Sequence, residues 1–464
     1  MEFSTDESRI IGHTDTTLLP EMATRLGLAI GTFFGQQSMI ATSRDFRRDS
    51  WMLKRALSGG VLGTGVDIMD LHAASTSTLQ FVVRRFGASG GVSFTGAHYI
   101  DGEVSVRVLD SSGNELERKD LQRIIDIARS GEFTRVPKDQ VGIIESVENS
   151  TEIYLKALLN FIKSSAIREA NYRVVVDCSL GPTALTAPNI LSELLVDVVS
   201  MNAHLISPQV VLPNPQSIQR VSKAITAIDA DLGLILDVEG VKLVALDNEG
   251  RLITPEDLTA LLIWENLKTR KGTIILSHLY TKRFDEAFEG VGAKIVRAKD
   301  TPGNIGRLIS QERAIIGATD NGKLFAPVWG AETDGLLSAL TLLEVLTVRQ
   351  MSLSEVMKEF DSKRSRAEVV SRMVTSIPLP DNVSQLKFWR VLNHKAKESG
   401  QYFRDTLVGL KIELGSGFGH FMTSLKEREV ELIVETSKPS EFASLCDRCQ
   451  ELAREAIEEI QGYT

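Results

Sequence analysis

Residues 42–71 are TSRDFRRDSWMLKRALSGGVLGTGVDIMDL, and their pattern decides the predicted fold. The stretch overlaps at its start with SMIATSR, a short apolar run that is typical of a buried strand. DSWMLKRALSGGVLGTG then predicts a helix, and VDIMDL predicts a second strand. Strand, helix and strand in this order form the unit of a sheet that is covered by helices. The stretch therefore predicts an α/β domain.

The same alternation continues along most of the chain. The first series of strands and helices continues with TSTLQFVVRRFG and GGVSF. A second series begins with YRVVVDCSLGPTALTAPNILSELLVDVVSMNA. A third series consists of DLGLILDV, PEDLTALLIWENLK, GTIILSHL and GAKIVRA. LVGLKIEL, ELIVET and the amphipathic SEFASLCDRCQELAREAIEEIQ instead predict a smaller sheet with its helices on one side. We predict three similar α/β domains, residues 1–148, 149–252 and 253–365, and a C-terminal α+β domain of a different type, residues 366–464.

The composition excludes several classes of protein. Of the 464 residues, 43% are hydrophobic and 24% are charged, which is typical of globular proteins. The net charge of −9, with basic residues dispersed along the chain, argues against binding to nucleic acid or to an anionic membrane surface. No apolar run approaches the roughly 20 residues that span a bilayer, and the first residues are acidic and polar. We expect a cytoplasmic protein.

The three cysteines do not predict a disulfide framework or a metal site. Cys178, Cys446 and Cys449 are too few and too unevenly spaced for the first. CDRC has no second pair with which to hold zinc, and its neighbours have helical periodicity. We expect these side chains to pack in the fold.

Four stretches carry a resemblance to one enzyme family. Residues 42–71 are similar to a family segment of Gly-Arg-Asp-Thr-Arg, a helix, and Gly-x-Asp-Val-x-Asp-Leu. Residues 230–262, 314–346 and 408–436 resemble its metal-loop, sugar-specificity and phosphate-binding segments. The family is the α-D-phosphohexomutases, which include phosphomannomutase, phosphoglucomutase and phosphoglucosamine mutase. The resemblance covers nearly the whole chain in the same order and implies a four-domain phosphohexomutase-like architecture.

The first family site is a loop of Thr-Ala-Ser-His-Asn-Pro, whose phosphorylated serine gives a phosphoryl group to the sugar and takes another back. Here residues 95–100 are Thr-Gly-Ala-His-Tyr-Ile. The resemblance therefore places Ala97, which has no atom to phosphorylate, in the serine's position. His98 is an alternative phosphate acceptor, and the nearby hydroxyls of Ser93 and Thr95 are others.

Two arginine patterns precede this loop in the family. Arg44, Asp45 and Arg47 match an Arg-Asp-x-Arg group, so Arg44 and Arg47 are implied members of the catalytic site. Alternatively, the group is retained for the fold, because it can cap the following helix and pair internally. The family's Gly-Ile-Arg-Gly places Ile11 where its arginine stands, and a slip of two residues would recover Arg9.

The second family site, Asp-Gly-Asp-Gly-Asp-Arg, holds Mg²⁺ with three carboxylates. The matching residues 237–242 are Asp-Val-Glu-Gly-Val-Lys. Asp237 and Glu239 are the implied metal ligands, and Val241 and Lys242 replace the third carboxylate and the arginine. Since hard divalent cations need several oxygens, the sequence predicts a degenerate magnesium site.

The third family site, Gly-Glu-x-Ser-Gly-His, contacts sugar hydroxyls. Residues 318–323 match it as Ala-Thr-Asp-Asn-Gly-Lys. Thr319, Asp320, Asn321 and Lys323 are therefore implied sugar-binding residues. The same composition is equally typical of an ordinary turn.

The fourth family site, Arg-x-Ser-Gly-Thr-Glu-Pro-x-x-Arg, binds the phosphate that does not react. Residues 422–431 match it without a gap as Met-Thr-Ser-Leu-Lys-Glu-Arg-Glu-Val-Glu. Both arginines and the glycine are lost, so Ser424, Lys426 and Arg428 are the implied phosphate-binding residues. The acids among them favour a solvated strand or turn of mixed charge.

Changes at all four sites suggest a hypothesis about function. In the family, catalysis needs the nucleophile, the metal ligands and the phosphate-binding residues together. Because all of them are altered here, the sequence predicts a phosphohexomutase-like protein that has lost catalysis and serves as a binding or regulatory partner. Two alternatives remain open. One is an active phosphosugar mutase with an altered nucleophile, and the other is a non-catalytic sensor of a sugar phosphate or nucleotide.

The cofactor and partners follow from these hypotheses. We predict that the protein needs no cofactor, with Mg²⁺ as the cofactor if the family activity is retained. A protein partner, or a homodimer formed through the first domain, is the expected assembly. A sugar phosphate is the expected small molecule, and neither nucleic acid nor a membrane is expected.

Overall fold

The structure, a computed structural model, describes most of the chain and contains four sheets. The described residues are 4–6, 9–96, 103–205, 215–301, 303–330, 333–362, 370–406, 408–424, 426 and 428–462. Each sheet is built from a continuous part of the sequence, and we call these parts units one to four. The limits predicted for the domains stay predictions.

Unit one is a seven-stranded mixed sheet with the order β1-β2-β6-β5-β3-β4-β7. Its elements are β1 Ser4–Asp6, β2 Arg9–His13, α1 Pro20–Phe34, β3 Met39–Arg44, α2 Arg48–Leu62, β4 Asp67–Ala73, α3 Thr76–Phe86, β5 Gly90–Gly96, β6 Glu103–Leu109, α4 Arg118–Ser130 and β7 Ile144–Ser146. Strands β4, β3 and β5 run parallel, and β6 pairs antiparallel with β5. The strand, helix and strand predicted over residues 42–71 are confirmed as β3, α2 and β4.

Unit two repeats this design on a five-stranded sheet with the order β12-β11-β10-β8-β9. Its elements are α5 Ser150–Phe161, α6 Ser164–Ala170, β8 Arg173–Asp177, α7 Ala187–Glu193, β9 Asp197–Met201, α8 Pro215–Ile228, β10 Leu232–Leu236, β11 Leu243–Leu246 and β12 Leu252–Ile253. Strand β10 pairs parallel with β8 and antiparallel with β11. It therefore has the same place in its sheet as β5 has in unit one.

Unit three has a four-stranded sheet with the order β14-β13-β15-β16. Its elements are α9 Pro255–Thr269, β13 Gly272–Ser277, α10 Asp285–Gly290, β14 Ala293–Ala298, α11 Asn304–Gln311, β15 Ile316–Ala318, β16 Leu324–Phe325, α12 Gly335–Arg349 and α13 Leu353–Asp361. Strand β15 again pairs parallel on one side and antiparallel on the other. The loops after β5, β10 and β15 thus leave their sheets at equivalent places, at the carboxyl ends of strands where α/β proteins bind ligands.

Unit four is different, because its five strands are all antiparallel in the order β17-β21-β20-β19-β18. Its elements are β17 Ser371–Pro378, α14 Gln385–Glu398, β18 Phe403–Thr406, β19 Gly409–Leu414, β20 Gly417–Thr423, β21 Glu429–Thr436 and α15 Phe442–Gly462. Apolar residues of α14 and α15, including Phe388 and Leu452, pack with Phe421 of β20 in one cluster. The predicted fold class, three similar α/β domains and a C-terminal α+β domain, is confirmed.

One hydrophobic core runs through the first three units. Leu79 and Leu109 of unit one, Leu236 of unit two and Leu340 of unit three belong to the same buried cluster. Unit four has its own core and also packs against unit two, where its Val408 belongs to a second shared cluster. The loops at the strand ends are therefore positioned by a shared apolar core, which resists independent movement of the first three units.

Within the described ranges, no helix alone is long and apolar enough to cross a bilayer. Helices α12 and α13 meet these criteria only when they are taken together, and they lie at 84° to each other.

Helices α1 and α2 approach each other closely, and glycines make this possible. A Cβ atom at Gly60 of α2 would overlap the carbonyl oxygen of Thr24 and would lie 2.8 Å from the backbone nitrogen of Leu28. A Cβ atom at the neighbouring Gly59 would meet nothing within 4 Å. The two adjacent glycines of α2 therefore differ in whether α1 packs against them.

We predict opposite effects for alanine at these two positions. Gly60→Ala forces the helices apart and costs about 1–3 kcal/mol, which lowers the thermal unfolding midpoint by several degrees. Gly59→Ala leaves the midpoint unchanged or raises it, because alanine favours a helix by roughly 0.5–1 kcal/mol over glycine. Scanning calorimetry of both variants tests this, and equal shifts for the two would contradict the packing described.

Candidate functional site

Glu239, in the loop after β10, lies where the first two units meet. Its side chain is fully buried and accepts hydrogen bonds from three residues of unit one. Arg107 of β6 donates from Nη2 to Oε2 at 2.7 Å, and Arg9 of β2 donates to the same oxygen at 3.1 Å. The hydroxyl of Thr95, at the end of β5, donates to Oε1 at 3.3 Å. Both carboxylate oxygens are therefore occupied by unit one.

The same ion pairs continue into unit three. Arg107 also bonds Glu115 through Nη1, and Lys323 of unit three donates from Nζ to Glu115 Oε1 at 3.2 Å. We call Arg9, Glu239, Arg107, Glu115 and Lys323 the charge network. Burial would raise the pKa of Glu115, but Arg107 and Lys323 outweigh it and hold that pKa well below its ordinary value. Three cations and two carboxylates thus join three units.

Asp237, the first residue of the same loop, has a different environment. Its Oδ1 accepts the backbone N–H groups of Val241 and Lys242 at 2.8 and 2.9 Å, which fixes the turn of the loop. Its Oδ2 is buried and has no hydrogen-bond partner among the described residues. Burial, and then the nearby charge of Glu239, raise the pKa of Asp237 to about 6. Of the side-chain oxygens in residues 237–242, it is the one without a hydrogen-bond partner among the described residues.

These donors fit a divalent cation only in part. Among the described residues, no group of three or more His, Cys, Asp or Glu side chains is arranged to hold a metal. Glu239 is bonded to two arginines, so the implied pair of ligands reduces to Asp237. Mg²⁺ is commonly bound by one or two carboxylates together with substrate phosphates and water. The loop therefore fits a cation that is completed by a bound phosphate, with Asp237 Oδ2 as its ligand from the chain.

Arg44 and Arg47 lie just before the first residue of α2. The buried Arg47 donates from Nε to Asp45 Oδ2 at 3.1 Å, and its backbone N–H donates to Asp45 Oδ1 at 3.0 Å. Arg47 also donates from Nη1 to the carbonyl of Glu103 at 3.1 Å, and from Nη2 to Ser50 Oγ at 3.2 Å. Arg44 donates to the carbonyl of Asp45 at 2.7 Å, and burial lowers its pKa. These contacts fit the structural alternative, in which the group pairs internally beside the helix.

The nucleophile loop itself is only partly described. Ala97 and His98 lie outside the described residues. The two hydroxyls before them are buried in β5, where Ser93 Oγ lies 3.1 Å from Thr76 Oγ1 and Thr95 bonds Glu239. Both hydroxyls are therefore already engaged in contacts within the protein.

Residues 319–323 do form a turn, between β15 and β16, but the turn is buried. The Gly322 φ of +87° explains the glycine at that position. Asp320 Oδ1 accepts from Ser277 Oγ at 2.5 Å, and Thr319 Oγ1 lies 2.5 Å from Asn321 Oδ1. An ordinary turn would leave such side chains in water. Here they fix the position of Lys323 in the charge network.

The phosphate-binding candidates lie between β20 and β21. Ser424 is buried and its hydroxyl accepts the backbone N–H of Lys426 at 3.2 Å. Lys426 and Arg428 are exposed, and each is paired with an acid, Glu429 at 3.2 Å and Asp381 respectively. The two described cations of this segment are therefore each paired with a nearby acid, and the predicted solvated strand or turn of mixed charge stays a prediction.

A second polar junction, between units three and four, was not predicted. Lys411 of β19 is fully buried and donates from Nζ to Glu256 Oε1 at 2.9 Å and to the carbonyl of Leu279 at 2.5 Å. Glu435 of β21 accepts from Thr281 Oγ1 at 2.9 Å. The run LVGLKIEL contains no motif that would indicate a role for Lys411. A charged residue within an apolar strand is itself a weak indication of a buried partner.

Family profiles match the first three units. Phosphoglucomutase/phosphomannomutase α/β/α domain I matches residues 1–135, domain II matches residues 152–250, and domain III matches residues 254–363. Together they cover well over half of the chain and keep the order seen in the structure.

Relatives and solved structures match the chain end to end. A probable phosphoglucosamine mutase of Thermococcus kodakarensis is 27% identical over 455 residues, covering 95% of this chain and 96% of the relative. The crystal structure of a putative phosphomannomutase from Thermus thermophilus superposes with a TM-score of 0.75 at 19% identity, covering 98% of this chain and 99% of the other. The Aspergillus fumigatus N-acetylphosphoglucosamine mutase, solved with GlcNAc-6P and magnesium, has a TM-score of 0.54 at 12% identity and covers 98% and 96%.

These comparisons contradict the hypothesis that catalysis has been lost. The hypothesis assumed that changes in four short motifs outweigh the rest of the chain. Relatives similar over the whole chain are named as mutases, among them the Thermococcus protein, and this points to a phosphohexomutase isomerase. The chain belongs to the phosphoglucomutase/phosphomannomutase family of the α-D-phosphohexomutase superfamily.

Proposed function

We propose that this protein is an active phosphosugar mutase, which moves a phosphoryl group between two hydroxyls of a hexose or hexosamine phosphate. The observation that carries the proposal is the similarity over 95% of the chain to a probable phosphoglucosamine mutase. The charge network supports it, because it places two arginines and a lysine beside the loops of the first three units. Cationic side chains in this position favour an anionic substrate.

The phosphoryl carrier is the point where this chain departs from its family. Ala97 cannot accept phosphate, and the hydroxyls of Ser93 and Thr95 are buried and already bonded. The remaining candidate is the imidazole of His98, since histidine forms covalent intermediates in group transfer. In this proposal an N–P bond to His98 forms as one P–O bond of a sugar bisphosphate breaks, and the freed sugar oxygen takes a proton. The N–P bond then breaks as the free hydroxyl of a bound sugar monophosphate takes the phosphoryl group and loses its proton. This forms a bisphosphate, which can give the phosphoryl group of its other position to His98.

The residues of the loop after β10 have separate roles in this proposal. Mg²⁺, when bound, would neutralise charge on the transferring phosphoryl group. Asp237 would hold it through Oδ2, and the substrate phosphate would supply further oxygens. Glu239 would keep the loop against unit one through Arg9 and Arg107. This replaces the expectation that the protein needs no cofactor.

The assembly and location predicted from the sequence stay predictions. A homodimer through unit one, or a protein partner, is compatible with the proposed activity. So is a cytoplasmic location.

We predict that the purified protein interconverts glucosamine 6-phosphate and glucosamine 1-phosphate when it is primed with the corresponding 1,6-bisphosphate and Mg²⁺. His98→Asn should lower kcat by at least about a hundredfold, since the phosphoryl carrier is removed. His394→Asn, at an exposed histidine of α14, is the matched control and should keep wild-type turnover.

The bond to phosphorus gives the second measurement. After incubation with radiolabelled bisphosphate, the wild type should carry a label that acid removes, as expected for phosphohistidine, and His98→Asn should carry none. Ala97→Ser should gain an acid-stable label. An acid-stable label on the wild type would exclude His98 and return the search to Ser93 and Thr95.

We predict that Mg²⁺ binding requires the substrate phosphate. Because the chain offers one open carboxylate oxygen, Mg²⁺ alone should leave the thermal midpoint unchanged, and Mg²⁺ with glucose 1,6-bisphosphate should raise it more than the sugar alone. Asp237→Asn should remove this extra shift and lower kcat, whereas Asp126→Asn, at an exposed carboxylate of α4, should not. A large shift with Mg²⁺ alone would contradict a site completed by substrate.

Glu239 should behave as a structural anchor. Glu239→Gln leaves the buried Arg107 with one carboxylate fewer, and breaking such a pair costs about 3–5 kcal/mol. We expect a much lower thermal midpoint and, in the folded fraction, a retained extra shift with Mg²⁺ and sugar bisphosphate. Loss of that extra shift with an unchanged midpoint would instead identify Glu239 as a metal ligand.

A further inference from the structure

A cavity of about 440 Å³ lies at the junction of units two and three, away from the residues of the proposed catalytic site. It is formed by the end of α5, the second half of α9, the beginning of β15, and α12. Its volume is within the range of pockets that hold small molecules. None of the residues implied by the family resemblance lines it.

The cavity has an apolar floor and an apolar mouth. The floor is made by buried leucine and isoleucine side chains, among them Leu262, Ile316 and Leu324. At the mouth, Val348 of α12 is 64% exposed and Val328 is 57% exposed. Large apolar side chains that are exposed together around one opening are typical of a binding site. The occupant therefore has an apolar body.

One residue of the cavity wall has a buried polar atom without a partner among the described residues. Asn266 of α9 lines the cavity, and its Oδ1 is buried without a hydrogen bond in the part of the chain that the structure describes. Buried polar atoms in native proteins are nearly always bonded, so an unbonded one needs an explanation. A ligand with an N–H or O–H group supplies the missing donor.

The charges at the mouth are unequal. Lys163 is paired with Glu344 at 3.3 Å, and Lys268 is paired with Glu265 at 3.0 Å. Arg270, at the end of α9, also lines the cavity, and no carboxylate is bonded to it among the described residues. Three lining cations thus face two lining acids, and one guanidinium is left to bind an anion. Guanidinium groups bind carboxylates, phosphates and sulfonates through paired donors.

We propose that this cavity is a binding site for a small amphipathic anion, with an apolar ring or chain, a hydrogen-bond donor and one acidic group. The apolar body lies on the floor, the donor meets Asn266 Oδ1, and the acidic group meets Arg270. The site does not depend on the proposed mutase activity.

The cavity is connected to the catalytic loops through two elements. Leu324 of its floor follows Lys323 of the charge network directly in the chain. Helix α12, which forms one wall, begins at Gly335, whose N–H donates to the carbonyl of Gly240 at 2.9 Å. Gly240 lies in the loop that carries Asp237 and Glu239.

The test uses 8-anilino-1-naphthalenesulfonate, a fluorescent probe that has two aromatic groups, an N–H donor and a sulfonate. Titration of the full-length protein should show one saturable site. Arg270→Gln should raise the dissociation constant about tenfold, and Val348→Glu should raise it further by placing an acid at the mouth. Arg129→Gln of α4 and the half-exposed Val374→Glu of β17 are the matched controls and should bind like the wild type.

Both cavity substitutions are at exposed side chains, so the variants should fold, and circular dichroism verifies this. Equal affinities in all five proteins would overturn the proposal, because the probe would then bind elsewhere. The absence of a saturable signal in the wild type would also overturn it.

Discussion

The buried ion pair between Arg107 and Glu239 is the interaction on which the arrangement of the loops depends. Neither side chain is more than 1% exposed, so each charge relies on the other in place of water. An isolated charge at such a site would cost several kcal/mol. The pair therefore forms only when β6 of unit one and the loop after β10 are both in place. Glu115 and Lys323 extend the same requirement to unit three.

The dependence of the loops on this ion pair explains why altered motifs do not imply an unstable fold. A carboxylate cluster without a cation would be unstable through mutual repulsion. Here Val241 removes one carboxylate of the family pattern, and Arg9 and Arg107 neutralise another. The loop therefore has the attraction of Glu239 to two guanidinium groups in place of repulsion among three carboxylates. The Oδ2 of Asp237 has no hydrogen-bond partner among the described residues.

The sequence predicted what depends on local pattern. The strand, helix and strand of residues 42–71 follow from apolar periodicity, and the order of the four units follows from its repetition and from the final change of pattern. Arg107 was missed because EVSVRVL contains no motif, and its partner Glu239 lies 132 positions away. Lys411 was also missed, since the pattern of one strand carries no information about a carboxylate on another unit. Local patterns predict elements, whereas buried charge pairs are properties of the assembled fold.

The second polar junction, between units three and four, is also built from buried ion pairs. Lys411 pairs with Glu256, Arg283 pairs with Asp257 and Glu435, and Arg372 pairs with Glu435. His420 adds no charge there, because burial, with help from Lys411, keeps its pKa well below the ordinary value. Lys426 and Arg428 are likewise paired with acids. Unit four is therefore held against unit three by buried ion pairs, as the first three units are held together by the charge network.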